Sequence, residues 1–158
     1  MTLVVSDNSP LNLLVRISCQ EVLADLFERV VVPTEVAQEM RHEAAPAEVS
    51  DFINNPPAWL EIKSPKCLLP LLELDLGERA AISLAMELKS PLLIDERIGR
   101  RIAREHGLDV VGAVGILELA ADRGLISDLQ EVHAKILKLN FHVSPTILAE
   151  SLARHLSR

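Results

Sequence analysis

Two acidic residues follow short apolar stretches of the chain, at positions where a strand would end. Asp7 comes just after the apolar residues 3–5, and Asp95 comes directly after residues 92–94. Apolar runs of this length that are bounded by polar and turn-forming residues are typical of buried strands. If both strands are parallel members of one sheet, their carboxylates emerge at the same edge, which is where ligands bind in α/β proteins.

Two further acids, Glu39 and Glu78, lie between these strands, and each is predicted to be early in a helix. Clustered carboxylates repel one another: a like-charged pair at ~4 Å and an effective dielectric of ~20 costs about 4 kcal/mol. Mg²⁺ or Mn²⁺ would neutralise such a cluster, because these hard cations prefer oxygen ligands. A site of this kind could activate a water and stabilise the leaving oxygen of a phosphodiester.

Each of these acids, taken alone, also has a purely structural explanation. Asp7 could close the turn after its strand, and Asp95 could cap the helix that follows it. Glu78 fits a capping box with Asp75, and Glu39 fits an ordinary solvated helix face. The metal-site hypothesis therefore depends on the combination of the acids and their order along the chain.

The elements needed to position these acids follow from composition and patterning. The chain has 158 residues, which is enough for one domain with its own core, and we expect a single domain over residues 1–158. Aromatic residues are only 3% of the chain, so Leu, Ile, Val and Ala must build the core. Short strands alternate with helical patterns, which predicts a three-layer α/β/α fold with a mostly parallel sheet. The helices are predicted to include one that Ser9 caps with Pro10 at its first position, and a short one over residues 67–72.

Charge and cysteine content exclude several classes of function. The net charge of −7 means that a nucleic-acid partner would need a local basic patch or bridging metal ions. Cys19 and Cys67 form no CxxC pair, so neither a zinc site nor a disulfide framework is indicated. The chain starts with a strand pattern and no basic n-region, so we expect no signal peptide there. No apolar run approaches the ~20 residues of a membrane span. We therefore expect a cytoplasmic protein without a membrane partner.

None of the histidines has metal-ligand spacing, and they are expected at the surface or packed in the core: His42, His106, His133, His142 and His155.

One basic patch is predicted next to the acids. Arginines cluster within one arc of the helix after Asp95, at positions Arg97, Arg100, Arg101 and Arg104. Such a patch could bind RNA phosphates beside the acids. The alternative is a solvated helix face whose charges pair with Glu105 and its neighbours.

Several segments, in their order and spacing, resemble a PIN-like domain, and more narrowly a bacterial and archaeal branch related to VapC-type toxins. They are VSDNSPL at residues 5–11, GERAAI at 77–82 and LLIDER at 92–97. The others are Val32-Pro33 with Val36 and Glu39, GRRIA at 99–103, and Val111-Gly112 with Gly115-Ile116-Leu117. The resemblance covers nearly the whole chain.

The resemblance implies an endoribonuclease that depends on Mg²⁺ or Mn²⁺ and acts on RNA phosphodiesters. Asp7 matches the acid of the first strand, Glu39 the helix acid after Val-Pro, and Glu78 the acid early in the central helix. It also implies a toxin that pairs with a small antitoxin protein, and a homodimer. The Leu-rich carboxyl-terminal helices could contribute the dimer surface, or they could simply close the core.

The fourth acid is open. PIN strands typically end in a Thr, a variable residue and an Asp, whereas this chain has Ile94, Asp95 and Glu96 in that place. Either Asp95 or Glu96 could be the fourth acid and metal ligand. Because the Thr is missing, a PIN-like module that has lost catalysis and serves in binding or regulation is the alternative function.

Overall fold

The central sheet has five strands, and every pairing in the described part of the chain is parallel. The computed structural model describes residues 2–139, 141 and 143–158. The strands are β1 (Leu3–Ser6), β2 (Arg29–Val32), β3 (Leu60–Ile62), β4 (Leu92–Leu93) and β5 (Val110–Val111). Their order across the sheet is β3-β2-β1-β4-β5. The chain therefore runs from β1 towards one edge and later returns to the other side of β1, which makes the crevice between β1 and β4 a topological switch point.

Helices cover both faces of this sheet. They are α1 (Asn8–Arg16), α2 (Val22–Leu26), α3 (Thr34–Met40), α4 (Ala47–Asn54), α5 (Leu76–Leu88), α6 (Arg97–Glu105), α7 (Ala113–Asp122), α8 (Leu129–Leu137) and α9 (Pro145–Leu156). Helices α5 and α6 pack on one face with Val5 and Val31, and the other helices pack on the opposite face with Val4 and Val30. Successive strand residues thus point into opposite apolar cores. The predicted three-layer α/β/α fold is confirmed.

Two predictions about helix positions were wrong. Ser9 does not cap the first helix: α1 begins at Asn8 with Asp7 at its N-cap. Pro10 therefore lies within the first turn, where its missing N–H costs nothing. Glu39 is the penultimate residue of α3 and not an early one.

Residues 67–72 form no helix, because their backbone is tied to α5 instead. The N–H of Leu69 donates to Ser83 Oγ at 2.9 Å, and the Leu69 carbonyl accepts from the Arg79 guanidinium at 3.3 Å.

The carboxyl-terminal helix α9 is anchored to α7 through a buried carboxylate. Glu118 accepts hydrogen bonds from Ser151 Oγ at 2.8 Å, Arg154 Nη2 at 2.9 Å and Arg158 Nη1 at 2.8 Å. Burial raises the pKa of Glu118, but these hydrogen bonds outweigh it and bring the pKa to about 2. The side chain is therefore ionised at neutral pH and holds α9 in a defined position.

The carboxyl-terminal helices serve mainly to close the core. Leu129, Val132, Ile136 and Leu148 are buried against the sheet-facing helices. Leu137 and Leu156 point outward and are 55% and 73% exposed. Among the described residues, the helices are too short or too polar for any of them to cross a lipid bilayer.

Candidate functional site

Asp7 lies at the switch point of the sheet. Its backbone N–H donates to the Leu93 carbonyl at 2.9 Å, which ties the end of β1 to β4. Asp7 occupies the N-cap position of α1, but its side chain makes no capping hydrogen bond. The purely structural role considered for Asp7, closing the turn after β1 through its side chain, is therefore not observed. The residue is only 4% exposed. A buried carboxylate that does not cap its helix is available for another role.

The surroundings of Asp7 favour its protonated form. Burial raises the pKa of Asp7 to about 7, and the nearby carboxylates of Glu39, Asp75 and Asp95 add to this shift. The backbone N–H of Asn8 opposes it only partly. Since desolvation and like charges both act against the ionised form, a bound cation would reverse the balance.

Glu39 reaches the same region from the end of α3. Asn8 Nδ2 donates to Glu39 Oε2 at 3.4 Å, and burial followed by the charge of Asp75 raises the pKa of Glu39. The carboxylate lies directly against Gly77: a β-carbon at that position would be 2.8 Å from Glu39 Cδ and closer still to Oε1. Gly77 is therefore the residue that lets the Glu39 carboxylate approach the start of α5.

Gly77 offers a test of this contact. We expect Gly77→Ala to push the Glu39 carboxylate away and to weaken Mn²⁺ binding by about tenfold, a typical cost of disturbing groups around a metal site. The unfolding free energy should stay within ~1 kcal/mol, because Ala is the better helix former and the displaced group is the end of a flexible side chain. Calorimetric Mn²⁺ titration and urea unfolding measure the two effects.

Gly115→Ala is the matched control, since Gly115 also lies in a helix but a β-carbon there would contact only Val111. Equal Mn²⁺ affinity for Gly77→Ala and Gly115→Ala would remove Glu39 from the site.

Asp75 and Glu78 form the capping box at the start of α5. The Glu78 N–H donates to Asp75 Oδ1 at 2.8 Å, and the Asp75 N–H donates to Glu78 Oε1 at 3.4 Å. The structural explanation of Glu78 is thus correct for one of its oxygens. The other oxygen, Oε2, is buried without a hydrogen-bond partner among the described residues. Burial raises the pKa of Glu78 to about 8, with further contributions from Asp75, Asp7 and Glu96.

Asp95 and Glu96 have different positions at the end of β4. Asp95 Oδ1 accepts the Ala113 N–H at the start of α7 at 2.9 Å, and Asp95 Oδ2 is buried without a partner in the described part of the chain. Burial raises the pKa of Asp95, although the Ala113 N–H and the charge of Arg100 oppose this.

Glu96, and not Asp95, caps α6. Its two oxygens accept the N–H groups of Ile98 at 3.0 Å and Gly99 at 2.6 Å. Partial burial raises the pKa of Glu96, but these N–H groups and Glu78 outweigh it and lower the pKa. Asp95 therefore has an oxygen to spare, whereas both oxygens of Glu96 already hold the helix.

The acids fit a hard cation only in an open arrangement. Across residues 2–139, 141 and 143–158, no three His, Cys, Asp or Glu side chains come close enough together to hold one ion. The donor chemistry still fits, since within the described residues Glu78 and Asp95 each have a buried oxygen without a hydrogen-bond partner. Asp7, with a pKa of about 7, can lose its proton when a cation binds. Mg²⁺ is commonly held by one or two carboxylates and several waters. Asp7 with Glu78 or Asp95 is such a set.

The predicted arginine patch divides in the structure. Arg97, Arg100 and Arg104 line a cleft of about 590 Å³ that also contains Asp95. Arg101 does not line it, and pairs instead with Glu73 at 3.1 Å and with Glu105 at 3.4 Å.

Three residues of this region were not singled out as functional from the sequence. Asp75 was recognised only as a helix cap, yet its charge raises the pKa of Asp7, Glu39 and Glu78. Asn8 holds Glu39, and Gly77 gives it room. The available signal was adjacency, since Asn8 follows Asp7 and Gly77 precedes Glu78.

None of the described histidines shifts the pKa of the acids in this region. His133 is buried, His42 is exposed, His106 Nδ1 lies 2.9 Å from the Ile102 carbonyl, and His155 contacts Asp122. His142 lies outside the described residues.

Comparison with known proteins supports both the fold and the family. A family model described as DUF3368: PIN domain matches residues 3–157. The structure is similar to that of a PilT N-terminus domain protein, SSO1118, from the hyperthermophilic archaeon Sulfolobus solfataricus P2, with a TM-score of 0.52 and 16% sequence identity. That similarity covers 91% of this chain and 100% of the other, and at this identity it concerns the fold alone. No curated protein matches the chain.

The family match confirms the resemblance to a PIN domain found in the sequence. It spans nearly all of the chain, including the strand ends that carry Asp7 and Asp95. The chain therefore belongs to the DUF3368 family of PIN domains, a class whose members generally are metal-dependent nucleases.

Proposed function

We propose that this protein is an endoribonuclease that uses Mg²⁺ or Mn²⁺ to hydrolyse RNA phosphodiesters at the acidic region around Asp7. The observation that carries the proposal is the burial of Asp7 among Glu39, Asp75 and Asp95, with a pKa raised to about 7, at the switch point of the sheet. Buried, strongly shifted carboxylates in this position are typical of functional sites.

The roles of the residues follow from their contacts. Asp7, with Glu78 or Asp95, would hold the cation, and Glu39 would complete the negative surroundings. When bound, a divalent ion supplies an activated water and charge stabilisation for the leaving oxygen. Asp7 gives up its proton as the cation enters, so binding is stronger at higher pH. Asp95 is oriented by the Ala113 N–H, and Glu96 holds the start of α6.

The second candidate function is a PIN domain that binds its partner without cleaving it. Two observations favour it: no three acids among the described residues have the spacing of a single-ion site, and both oxygens of Glu96 are engaged by α6. Because of these hydrogen bonds, Glu96 could become the fourth metal ligand only if the start of α6 rearranged.

Metal removal and replacement separate the two functions. We expect the purified protein to cleave a fluorescent single-stranded RNA with Mn²⁺ or Mg²⁺, and to lose this activity in EDTA. Ca²⁺ is the control, because it is a larger ion with looser geometry. RNA binding without cleavage under any of these ions would favour the non-catalytic module, and undiminished cleavage in EDTA would contradict the proposed metal site.

PIN-domain nucleases bind RNA and often pair with antitoxins. The toxin role, the small antitoxin partner, the homodimer and the cytoplasmic location stay predictions for this chain. The exposed Leu137 and Leu156 are the side chains on the carboxyl-terminal helices that we propose for self-association. Sedimentation of the wild-type protein beside a Leu156→Ser variant would measure it.

A further inference from the structure

A basic cleft adjoins the acidic region on an otherwise acidic protein. The cleft of about 590 Å³ lies between α6, the start of α7 and α9, and it is within the size range of pockets that enclose small ligands. Its charged lining consists of Asp95 and four arginines: Arg97, Arg100, Arg104 and Arg154. Asp95 belongs to both the cleft and the acidic region, so a ligand in the cleft would lie beside Asp7's surroundings.

These arginines differ in how their charge is used. Arg100 Nη1 donates to the Ile94 carbonyl at 3.1 Å and stands next to Asp95, and Arg154 is held by Glu118 at 2.9 Å. Arg97 and Arg104 form no ion pair with any residue that the structure describes. Two guanidinium groups on one helix are thus available for an anionic ligand.

The rest of the cleft lining is largely apolar. It is lined by the apolar residues Val110, Val114, Phe141, Val143 and Ile147. Ile147 is 50% exposed, although a large aliphatic side chain normally gains by burial. An anionic ligand that also carries a flat apolar group would satisfy both parts of the lining.

We propose that this cleft binds one unpaired nucleotide next to the phosphodiester that is cut, with its phosphate on Arg97 and Arg104 and its base against the apolar side. This inference rests on the proposed function and assigns the nucleotide to this cleft, not to the outer surface of α6. A base enters such a cleft only when it is unstacked, which single strands allow and duplexes oppose. We therefore expect the cleft to admit an unpaired nucleotide and not a base pair.

Binding can be tested separately from cleavage. Fluorescence anisotropy would follow a short single-stranded RNA in EDTA, with protein carrying Asp7→Asn so that no cleavage intervenes. In that background we expect Arg104→Gln to weaken binding about fivefold to tenfold, and to reduce the slope of log K against log[salt] by about 0.7, the value for one phosphate contact on a single strand. Arg101→Gln is the matched control on the same helix, because Arg101 pairs with Glu73 outside the cleft.

The base is tested with modified RNAs. A series of RNAs would carry one abasic residue at each position in turn. We expect binding to weaken about tenfold for one position of the abasic residue only, the position of the bound nucleotide. A blunt duplex of the same sequence should bind at least tenfold more weakly than the single strand.

Each other result would overturn the inference. Equal losses for Arg104→Gln and Arg101→Gln would assign binding to the helix surface and not to the cleft. Equal affinity for duplex and single strand would do the same, and so would tighter binding of an acidic peptide than of RNA. If cleft-dependent binding is found but the wild-type protein never cleaves, the cleft assignment stands and the proposed nuclease function fails.

Discussion

Asp7→Asn should lower metal-dependent cleavage of single-stranded RNA by about 10³-fold or more, which corresponds to the several kcal/mol of charge stabilisation that a bound ion supplies. Asn keeps the size of the side chain but cannot carry the negative charge that attracts a cation. Initial rates with Mn²⁺ for the variant and the wild type measure this loss. Mn²⁺ affinity should fall in parallel, because the ligand and not merely the chemistry is removed.

The fold of this variant should be intact. Asp7 is buried with a pKa raised to about 7, so the substitution removes an unfavourable charge at pH 8, and the unfolding temperature without metal should be equal or higher. Asp51→Asn is the control, because Asp51 is exposed on α4 and is not among the charges that shift the pKa of Asp7. Wild-type cleavage by Asp7→Asn would eliminate Asp7 as a ligand.

The metal-free protein should become less stable as the pH rises from 5 to 8. The pKa of Asp7 is about 7 in the folded protein and 3.8 as a free side chain, and that of Glu78 is about 8 against 4.5. Between these values the folded state holds more protons than the unfolded state, so stability falls with pH and the loss is complete above about 7 for Asp7 and about 8 for Glu78. For Asp7 alone the shift corresponds to about 4 kcal/mol at most.

Thermal melts at several pH values measure this effect. A loss of a few kcal/mol should lower the unfolding temperature by about 5–10 °C between pH 5 and 8 in EDTA. Mn²⁺ should raise the unfolding temperature at pH 8 and have little effect at pH 5, where the carboxylates are protonated. Asp7→Asn should flatten the pH dependence. An unfolding temperature that rises between pH 5 and 8 in EDTA would contradict the raised pKa values.

The sequence was informative wherever an interaction is local. Apolar runs that end at Asp7 and Asp95 predicted two strands with acids at their ends, because burial of a strand can be read from its own residues. The capping box of Asp75 and Glu78 was also readable, since a helix start involves residues only three positions apart. The family resemblance rested on these same local motifs.

Other features depended on residues far apart in the chain. Helix α6 is capped by Glu96 although Asp95 was the candidate, and the choice depends on Asp95 reaching Ala113, 18 residues away. The sequence predicted that the four arginines share one side of their helix. In the structure Arg101 pairs with Glu73, whereas Arg97 and Arg104 line the cleft together with residues of α9. No local pattern contains these partners.

By itself, the sequence determined that this protein is an α/β domain of the PIN family with acids at its strand ends. The tertiary structure alone decided that β1 lies between β2 and β4, and so brought Asp7, Glu39, Asp75 and Asp95 within electrostatic reach of one another. The physical reason is that local propensities and apolar periodicity act over a few residues, whereas strand order, burial and the resulting pKa values come from contacts between distant segments. Among the described residues, the same contacts left one oxygen of Asp95 without a hydrogen-bond partner and engaged both oxygens of Glu96.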